Sequence, residues 1–194
     1  MPDPSNGYEA TAAQFITRRS RVGAEEVRAW ARALPRHAHV LDVGCGGGVP
    51  ITEMLLAEGC QVAAVDAAPS LVAAFRERFP DVPIACEAAE SSALFDRTYD
   101  GIVAWGLMFL LRPAAQRQLI AHLSRALRPG GALLFTSPAE PCTWTDVLTR
   151  QRSESLGAAA YREALASHGV VVEKEFDDEG GNHYYVAVNR TLNA

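Results

Sequence analysis

Residues 39–48 read His39-Val40-Leu41-Asp42-Val43-Gly44-Cys45-Gly46-Gly47-Gly48, and this stretch decides the fold. Its first half is a short, mostly apolar run, which is typical of a buried β-strand. Its second half is a glycine-rich turn, after which Pro50 suits the first position of a helix. Backbone N–H groups of such a turn can approach a ligand closely, and a helix N-terminus there favours a negatively charged or electron-rich group. The stretch therefore predicts a ligand-binding turn at the end of the first strand.

Outward from this turn, strand-like and helix-like apolar patterns alternate along the chain. Such alternation predicts an α/β domain built on a parallel sheet. The last two predicted strands, 170–176 and 183–188, are joined by only six residues. Because a parallel crossover needs about a dozen residues or more, we expect these two strands to pair antiparallel as a hairpin. The other strands are predicted at 39–43, 61–65, 82–86, 101–105 and 132–136.

The predicted helices lie between the strands, at 50–58, 69–79, 113–127 and 158–168. The segment before the last of these helices, 137–157, is predicted as a polar loop, and its first part should border the site. Residues 8–34 contain two further helical stretches. We expect residues 1–38 to form a helical cover that belongs to the same domain as residues 39–194.

Composition limits the classes of function. The 194 residues are 48% hydrophobic and 21% charged, the balance of one soluble globular domain that can bury a core without disulfides. Lys174 is the only lysine, which excludes a phosphate-binding loop ending in Gly-Lys. The net charge of −5 disfavours nucleic-acid partners. We interpret Arg18, Arg19 and Arg21 as a solvated helix face that could still bind one small anion.

Cysteine spacing and hydropathy bear on metal sites and cellular location. No two of the four cysteines are close enough in sequence to suggest a zinc or redox site, so we expect no metal. No apolar run reaches the length of a membrane span, and the first residues lack the pattern of a signal peptide. These observations predict a cytoplasmic protein without a membrane partner. The cysteines are Cys45, Cys60, Cys86 and Cys142.

The glycine turn departs from the dinucleotide-binding pattern. Position 49 is Val49 rather than glycine, and Asp42 stands two residues before the first glycine. A carboxylate there would repel a pyrophosphate but would suit a ligand with an ammonium or sulfonium charge. Asp66, at the end of the second predicted strand, is placed to accept hydrogen bonds from ribose hydroxyls. The residues therefore predict a nucleoside ligand with a positive charge.

Four segments together resemble the class I S-adenosylmethionine-dependent methyltransferases of the small-molecule type, and the resemblance covers about residues 39–190. It implies a Rossmann-like α/β fold, in which a seven-stranded sheet of order 3-2-1-4-5-7-6, with strand 7 antiparallel, carries helices on both faces. It also implies S-adenosylmethionine as the cofactor and in-line methyl transfer to a small-molecule acceptor, most often at oxygen or nitrogen. The segments are Leu41–Gly48, Val65-Asp66, Tyr99-Asp100-Gly101-Ile102-Val103 and Leu127-Arg128-Pro129-Gly130-Gly131.

The resemblance also implies which residues hold the cofactor. The glycine turn would hold the methionine part, through Gly44, Cys45 and Gly46, and Asp66 with the adjacent Ala67 would hold the ribose.

For the adenine, the family usually has an Asp-Ala pair after the third strand, whereas this chain reads Cys86-Glu87-Ala88-Ala89-Glu90. Either Glu87 supplies the acid and Ala88 follows it, or Ala88 replaces the acid and only backbone contacts remain. We favour Glu87, although Glu87 and Glu90 could also both be solvated loop charges.

Aromatic residues extend the predicted site. Tyr8 precedes a helix that resembles the family's N-terminal cover, and Trp105 follows the fourth strand, so we expect both at the cofactor. The segment 105–111 carries no ionisable group, whereas many small-molecule members of the family carry a histidine there. Its apolar side chains would suit a hydrophobic or aromatic acceptor, although such spacing is also typical of core. The predicted acceptor-lining residues are Met108, Phe109, Trp144 and Tyr184.

In-line transfer does not require a general base, because alignment alone can supply much of the acceleration. If a base is used, His183 is the candidate, since the turn before the last strand should lie on the ligand side of the sheet.

Two other functions stay open. The protein could bind S-adenosylmethionine without methylating, as a regulatory or degenerate subunit or in another alkyl transfer or cyclisation. A nicotinamide-dependent oxidoreductase is less favoured, because no tyrosine has a lysine four positions later. The compact cover favours a small-molecule acceptor over a macromolecule, and a homodimer is left open.

Overall fold

The computed structural model describes residues 3–191. The predicted cover (1–38) and the predicted cofactor-binding region (39–194) extend past these bounds, so residues 1–2 and 192–194 lie outside the described residues. The α-helices are Tyr8–Arg18 (α1), Ala24–Arg32 (α2), Ile51–Ala57 (α3), Pro69–Arg78 (α4), Pro113–Ala126 (α5) and Ala158–Ala166 (α6). The strands are His39–Val43 (β1), Gln61–Asp66 (β2), Ile84–Cys86 (β3), Tyr99–Ala104 (β4), Leu127–Thr136 (β5), Cys142–Thr145 (β6), Arg152–Ser155 (β7), Val170–Asp177 (β8) and His183–Asn189 (β9).

Seven of these strands form one sheet in the order β3-β2-β1-β4-β5-β9-β8. Strands β1 to β5 pair in parallel, whereas β9 is antiparallel to both β5 and β8. The predicted order and the antiparallel last strand are therefore confirmed, with β8 and β9 as the predicted strands 6 and 7. The physical reason is the short connection between them, which permits only a hairpin.

Helices cover both faces of this sheet. Successive strand residues point to opposite faces, so Leu41 and Val43 of β1 pack in the core beneath α5 and α6. Val40 packs on the other side, in a core that includes Val27 of α2 and Leu55 of α3. A parallel sheet buried on both faces needs apolar residues at nearly every strand position, which explains the continuous apolar runs in the sequence.

The segment predicted as a polar loop contains a small hairpin, because β6 and β7 pair antiparallel as a separate two-stranded sheet. Its strands carry mostly polar side chains, so no apolar alternation marks them in the sequence. Hydrogen bonds to the core hold the hairpin instead. The buried Gln116 Nε2 donates to the Glu154 carbonyl at 2.7 Å and to the Leu111 carbonyl at 2.8 Å, and the Ser155 hydroxyl donates to the Pro138 carbonyl at 2.6 Å.

Helix α1 lies over the carboxyl ends of the parallel strands. Phe15 and Ala12 pack with Ala68 and Leu71 at the start of α4, and Glu9 accepts hydrogen bonds from the backbone and hydroxyl of Ser70. The N-terminal segment is thus joined to the rest of the chain at the edge where ligands bind in open α/β sheets. Across residues 3–191, no helix combines the length and apolar character that crossing a membrane would need.

Candidate active site

A cavity of about 240 Å³ lies beneath α1, at the carboxyl ends of β1, β2 and β4. We call it the main cleft. Most of the predicted cofactor-site residues line it, and they come from distant parts of the chain. These lining residues are Tyr8, Gly44, Gly46, Asp66, Ala67, Glu87 and Trp105. The structure therefore brings them together, while their individual roles toward a cofactor stay predictions.

The glycine turn forms the floor of the main cleft. Gly44 and Gly46 have φ angles of 70° and 57°, a region that L side chains rarely adopt. A Cβ at Gly46 would lie 2.8 Å from the Phe15 ring, closer than van der Waals contact allows. Cys45, predicted at the cofactor, is buried beneath the turn and does not line the cleft, so only its backbone could serve there.

Asp66 connects the turn to the end of β2. Its Oδ2 accepts a hydrogen bond from the Gly46 N–H at 2.7 Å, and its Oδ1 accepts one from the Ala68 N–H at 2.9 Å. Burial raises the pKa of Asp66, and these backbone N–H groups oppose that rise. Each carboxylate oxygen has two acceptor positions. One position on each oxygen is therefore left for a ligand hydroxyl.

The structure corrects the prediction that Asp42 contacts a ligand. Asp42 is the fourth residue of β1, and like Val40 it points away from the main cleft toward α3. It is 2% exposed, and its Oδ2 accepts a hydrogen bond from the Thr52 hydroxyl at 2.6 Å. Burial raises the pKa of Asp42 to about 7. Its position in the alternating strand, rather than its nearness to the glycines, decides where it points.

Arg19, directly after α1, lines the main cleft, which corrects its interpretation as part of a solvated helix face. Its guanidinium lies 4.3 Å from the centre of the Trp105 ring and 4.9 Å from that of Phe15, and its Nε donates to the Val49 carbonyl at 3.3 Å. Burial lowers the pKa of Arg19, although the charge of Asp42 opposes this. Arg19 is the one cationic side chain that lines the main cleft within residues 3–191.

A signal for Arg19 does exist in the sequence. Tyr8, Ala12, Phe15 and Arg19 follow one another at intervals of four, three and four residues, which places them on one face of a helix. Three of them are apolar or aromatic, so this face turns toward the core. The neighbouring Arg18 and Arg21 are exposed, as the interpretation of a solvated helix face expects.

The structure also corrects the position of Tyr184. It is fully buried and does not line the main cleft. Its hydroxyl accepts a hydrogen bond from Trp105 Nε1 at 2.8 Å and donates one to Asp178 Oδ2 at 2.9 Å. Burial raises the pKa of Tyr184, so the hydroxyl stays protonated. Tyr184 therefore holds the Trp105 ring, on which Arg19 stacks, rather than an acceptor.

Residues that follow β3 also line the main cleft. Glu87 lines it and accepts a hydrogen bond from the Ser92 hydroxyl at 2.7 Å. Ala89 and Glu90 also line it, whereas Ala88 does not. Of the two registers considered for the adenine acid, the one with Glu87 has its side chain in the cleft.

A smaller cavity of about 170 Å³ adjoins the main cleft. Phe109 and Asn182 line both. Trp144 of β6 forms an aromatic wall with Phe109, their ring centres 5.3 Å apart. Met108, in contrast, is fully buried in the core and lines neither cavity, which corrects its predicted place at the acceptor.

His183 lines the smaller cavity, but both of its ring nitrogens face carboxylates. Nδ1 lies 2.7 Å from Asp177 Oδ1, and Nε2 lies 3.3 Å from Glu175 Oε2. Neither nitrogen is left to accept a proton from an acceptor. His183 as a general base stays a prediction, and this geometry does not favour it.

Comparisons with known proteins found similarity to methyltransferases. A family model described as a methyltransferase domain matches residues 40–131. The chain is 37% identical over 107 residues to a cypemycin N-terminal methyltransferase from Streptomyces sp, an alignment that covers 52% of this chain and 43% of that protein. It is 33% identical over 113 residues to a ubiquinone biosynthesis O-methyltransferase from Xanthomonas axonopodis pv. citri, and this alignment covers 55% of this chain and 46% of that protein. The chain thus spans less than half the length of these curated relatives.

The fold likeness extends over nearly the whole chain. The structure superimposes on an amino pentose methyltransferase from Micromonospora echinaspora, solved with S-adenosylmethionine bound, with a TM-score of 0.73 and 21% identity. The match covers 94% of this chain and 96% of that one. At this identity the likeness is one of fold.

Proposed function

We propose that this chain is a class I S-adenosylmethionine-dependent methyltransferase and transfers a methyl group from S-adenosylmethionine to a small-molecule acceptor at nitrogen or oxygen. One observation carries the proposal: a desolvated arginine, a glycine turn and a partly buried aspartate line the same cleft. The named activities of the relatives support it, since one is an N-terminal and another an O-methyltransferase.

The side chains in the main cleft fit the three parts of this cofactor. Arg19 supplies a cation for the carboxylate, and Asp66 supplies acceptor positions for two ribose hydroxyls. Glu87 supplies an acceptor for an adenine amino group, beside the apolar Leu71 and Ala89. A dinucleotide-binding turn would instead have a third glycine at position 49, where this chain has Val49.

The bound cofactor would supply a methyl carbon on a positively charged sulfur. The chain's own contribution is binding, orientation and exclusion of water. α1 covers the cleft, and the Trp105 ring is held by Tyr184 and Asp178 beside Arg19. Fixed alignment of an acceptor atom with the methyl carbon can supply much of the acceleration. Segment 106–111 provides no ionisable group, so the proposed reaction relies on the acceptor's own lone pair rather than on a base from this segment.

Isothermal titration of the purified protein with S-adenosylmethionine, S-adenosylhomocysteine and NADH tests the cofactor. We expect micromolar binding of the first two and none of NADH. Binding of NADH alone would contradict the proposal. Release of S-adenosylhomocysteine in the presence of an acceptor panel then tests the transfer.

A second candidate function is cofactor binding without methyl transfer. The segment from Trp105 to Leu111, which contains no ionisable side chain, favours it. The two candidates differ in turnover and not in binding. If S-adenosylhomocysteine binds tightly and no acceptor of any class leads to its release, the second candidate is the better one.

A further inference from the structure

Asp146 is a cleft residue that neither the motifs nor the cofactor site accounts for. It follows β6 at the tip of the β6–β7 hairpin, is only 8% exposed, and lines the main cleft. Its Oδ1 accepts hydrogen bonds from the Leu148 N–H at 2.9 Å, the Thr149 N–H at 2.7 Å and the Thr149 hydroxyl at 3.1 Å. Its Oδ2 has no hydrogen-bond partner within residues 3–191, since every bond to this carboxylate ends on Oδ1.

The hairpin holds this carboxylate in place. At the tip, the Asp146 N–H donates to the Gln151 carbonyl at 2.8 Å, and the Arg150 N–H donates back to the Asp146 carbonyl at 3.0 Å. At the base, Gln116 and Ser155 tie β7 to the core, as described above. Because hydrogen bonds fix the hairpin at its tip and at its base, Asp146 Oδ2 has a defined position at the cleft.

Asp146 shares the main cleft with apolar side chains. Phe109, Leu110 and Leu111 line the same cleft. Arg19 could neutralise the carboxylate but stacks on Trp105 and Phe15 and donates to the Val49 carbonyl instead. Oδ2 is therefore an unused hydrogen-bond acceptor at the cleft, where a ligand with an N–H donor can bind it.

The β6–β7 hairpin contributes one side chain to each of the two cavities. Trp144, two residues before Asp146, lines the smaller cavity with Phe109. The same hairpin thus contributes an aromatic wall to that cavity and a carboxylate to the cleft beside it. Burial, and next the charge of Asp146, raises the pKa of Tyr8 to about 12, so the Tyr8 hydroxyl next to this carboxylate carries no charge.

We propose that Asp146 is an acceptor-binding residue that selects an amine on an apolar or aromatic skeleton, by accepting a hydrogen bond from its N–H through Oδ2. This inference rests on the proposed function and narrows its acceptor class. An ammonium group adds Coulomb attraction to the carboxylate that a neutral hydroxyl of the same shape lacks. The carboxylate therefore distinguishes an amine from an alcohol of the same shape, while the aromatic pair binds the skeleton of both. For methyl transfer the bound ammonium first loses one proton to solvent, which frees the nitrogen lone pair that attacks the methyl carbon.

The experiment measures binding of matched probe pairs, 2-phenylethylamine with 2-phenylethanol and tryptamine with tryptophol, to the protein saturated with S-adenosylhomocysteine. We expect the amine of each pair to bind at least about tenfold more tightly than its alcohol. Asp146→Asn keeps an amide oxygen for the turn and should weaken amine binding about tenfold to a hundredfold, with alcohol binding unchanged. Asp146→Ser, whose hydroxyl can also cap the turn, provides a second variant, and the exposed Glu140→Gln is the control of equal charge change.

Three results would overturn the inference: no amine binds more tightly than its alcohol, the amine preference survives in both Asp146 variants, or the control loses as much as they do. A tenfold loss of S-adenosylhomocysteine affinity in Asp146→Asn would also overturn it, because the carboxylate would then hold the cofactor. Failure of S-adenosylhomocysteine to bind the unaltered protein contradicts the proposed function instead. The two failures are therefore distinguishable.

Discussion

Replacing Arg19 with methionine removes its cation from the main cleft and keeps an unbranched side chain of similar length. In the structure, the guanidinium stacks on Trp105 and Phe15 at 4.3 and 4.9 Å and lines the cleft beside the glycine turn. If Arg19 binds the carboxylate of the cofactor, the substitution deletes a charge-assisted hydrogen bond. Such bonds contribute roughly 1.5–3 kcal/mol, which corresponds to about a tenfold to 150-fold rise in Kd.

The effect on the free energy of unfolding should be much smaller. Two cation–π contacts contribute about 0.5–1 kcal/mol each, but burial of the guanidinium, which lowers its pKa, opposes them. Methionine packs against aromatic rings without that desolvation cost. We therefore expect a change in stability within about 1 kcal/mol of zero, so that lost binding is not the result of unfolding.

The assay compares two ligands that differ in the predicted contact. S-adenosylhomocysteine carries the amino-acid carboxylate, whereas 5′-methylthioadenosine lacks it. Calorimetric titration of Arg19→Met should show the full rise in Kd for S-adenosylhomocysteine and a change in Kd of less than about threefold for 5′-methylthioadenosine. Arg18→Met, an exposed position one residue earlier, is the matched control and should bind both normally. Equal losses for the two ligands, or no loss for either, would refute the assignment of Arg19.

Three further substitutions test other parts of the site. Asp66→Ala should weaken both adenosine-containing ligands by roughly 1.5–3 kcal/mol, about tenfold to a hundredfold; an unchanged Kd in calorimetry would contradict the ribose assignment. Gly46→Val should abolish cofactor binding, because its Cβ would lie 2.8 Å from the Phe15 ring at a φ of 57°; normal binding would show that the turn does not hold the ligand. Asp42→Asn should change the pH dependence of stability. The folded pKa of Asp42, about 7, is above its ordinary value, so its contribution is full below about pH 4 and is lost as the pH rises through 7. Between pH 5 and pH 8, the free energy of unfolding of the variant should therefore fall by roughly 2–3 kcal/mol less than that of the unaltered protein. Urea unfolding at the two pH values measures this fall, and an equal fall in both proteins would contradict the prediction.

The candidate site was predictable where one short segment carried the signal. The glycine turn after β1 and the acid at the end of β2 are local patterns, and the carboxyl ends of neighbouring parallel strands necessarily meet at one edge of the sheet. Gly44, Gly46 and Asp66 therefore line the main cleft as the sequence suggested. Asp42 was misplaced because its neighbours in the sequence are ligand-facing, whereas the pleat of β1 turns its side chain to the opposite side.

The sequence by itself determined the antiparallel last strand, because a six-residue connection permits only a hairpin. The order of the whole sheet was implied by the family resemblance of the motifs. Only the tertiary structure decided that Arg19 and Asp146 face the same cleft, since α1 and the β6–β7 hairpin are separated by more than a hundred residues. Neither segment has a sequence pattern that indicates which surface it packs against. Their positions follow from the packing of Phe15 on the glycine turn and from the buried hydrogen bonds of Gln116 to the hairpin, contacts that exist only when the chain has folded.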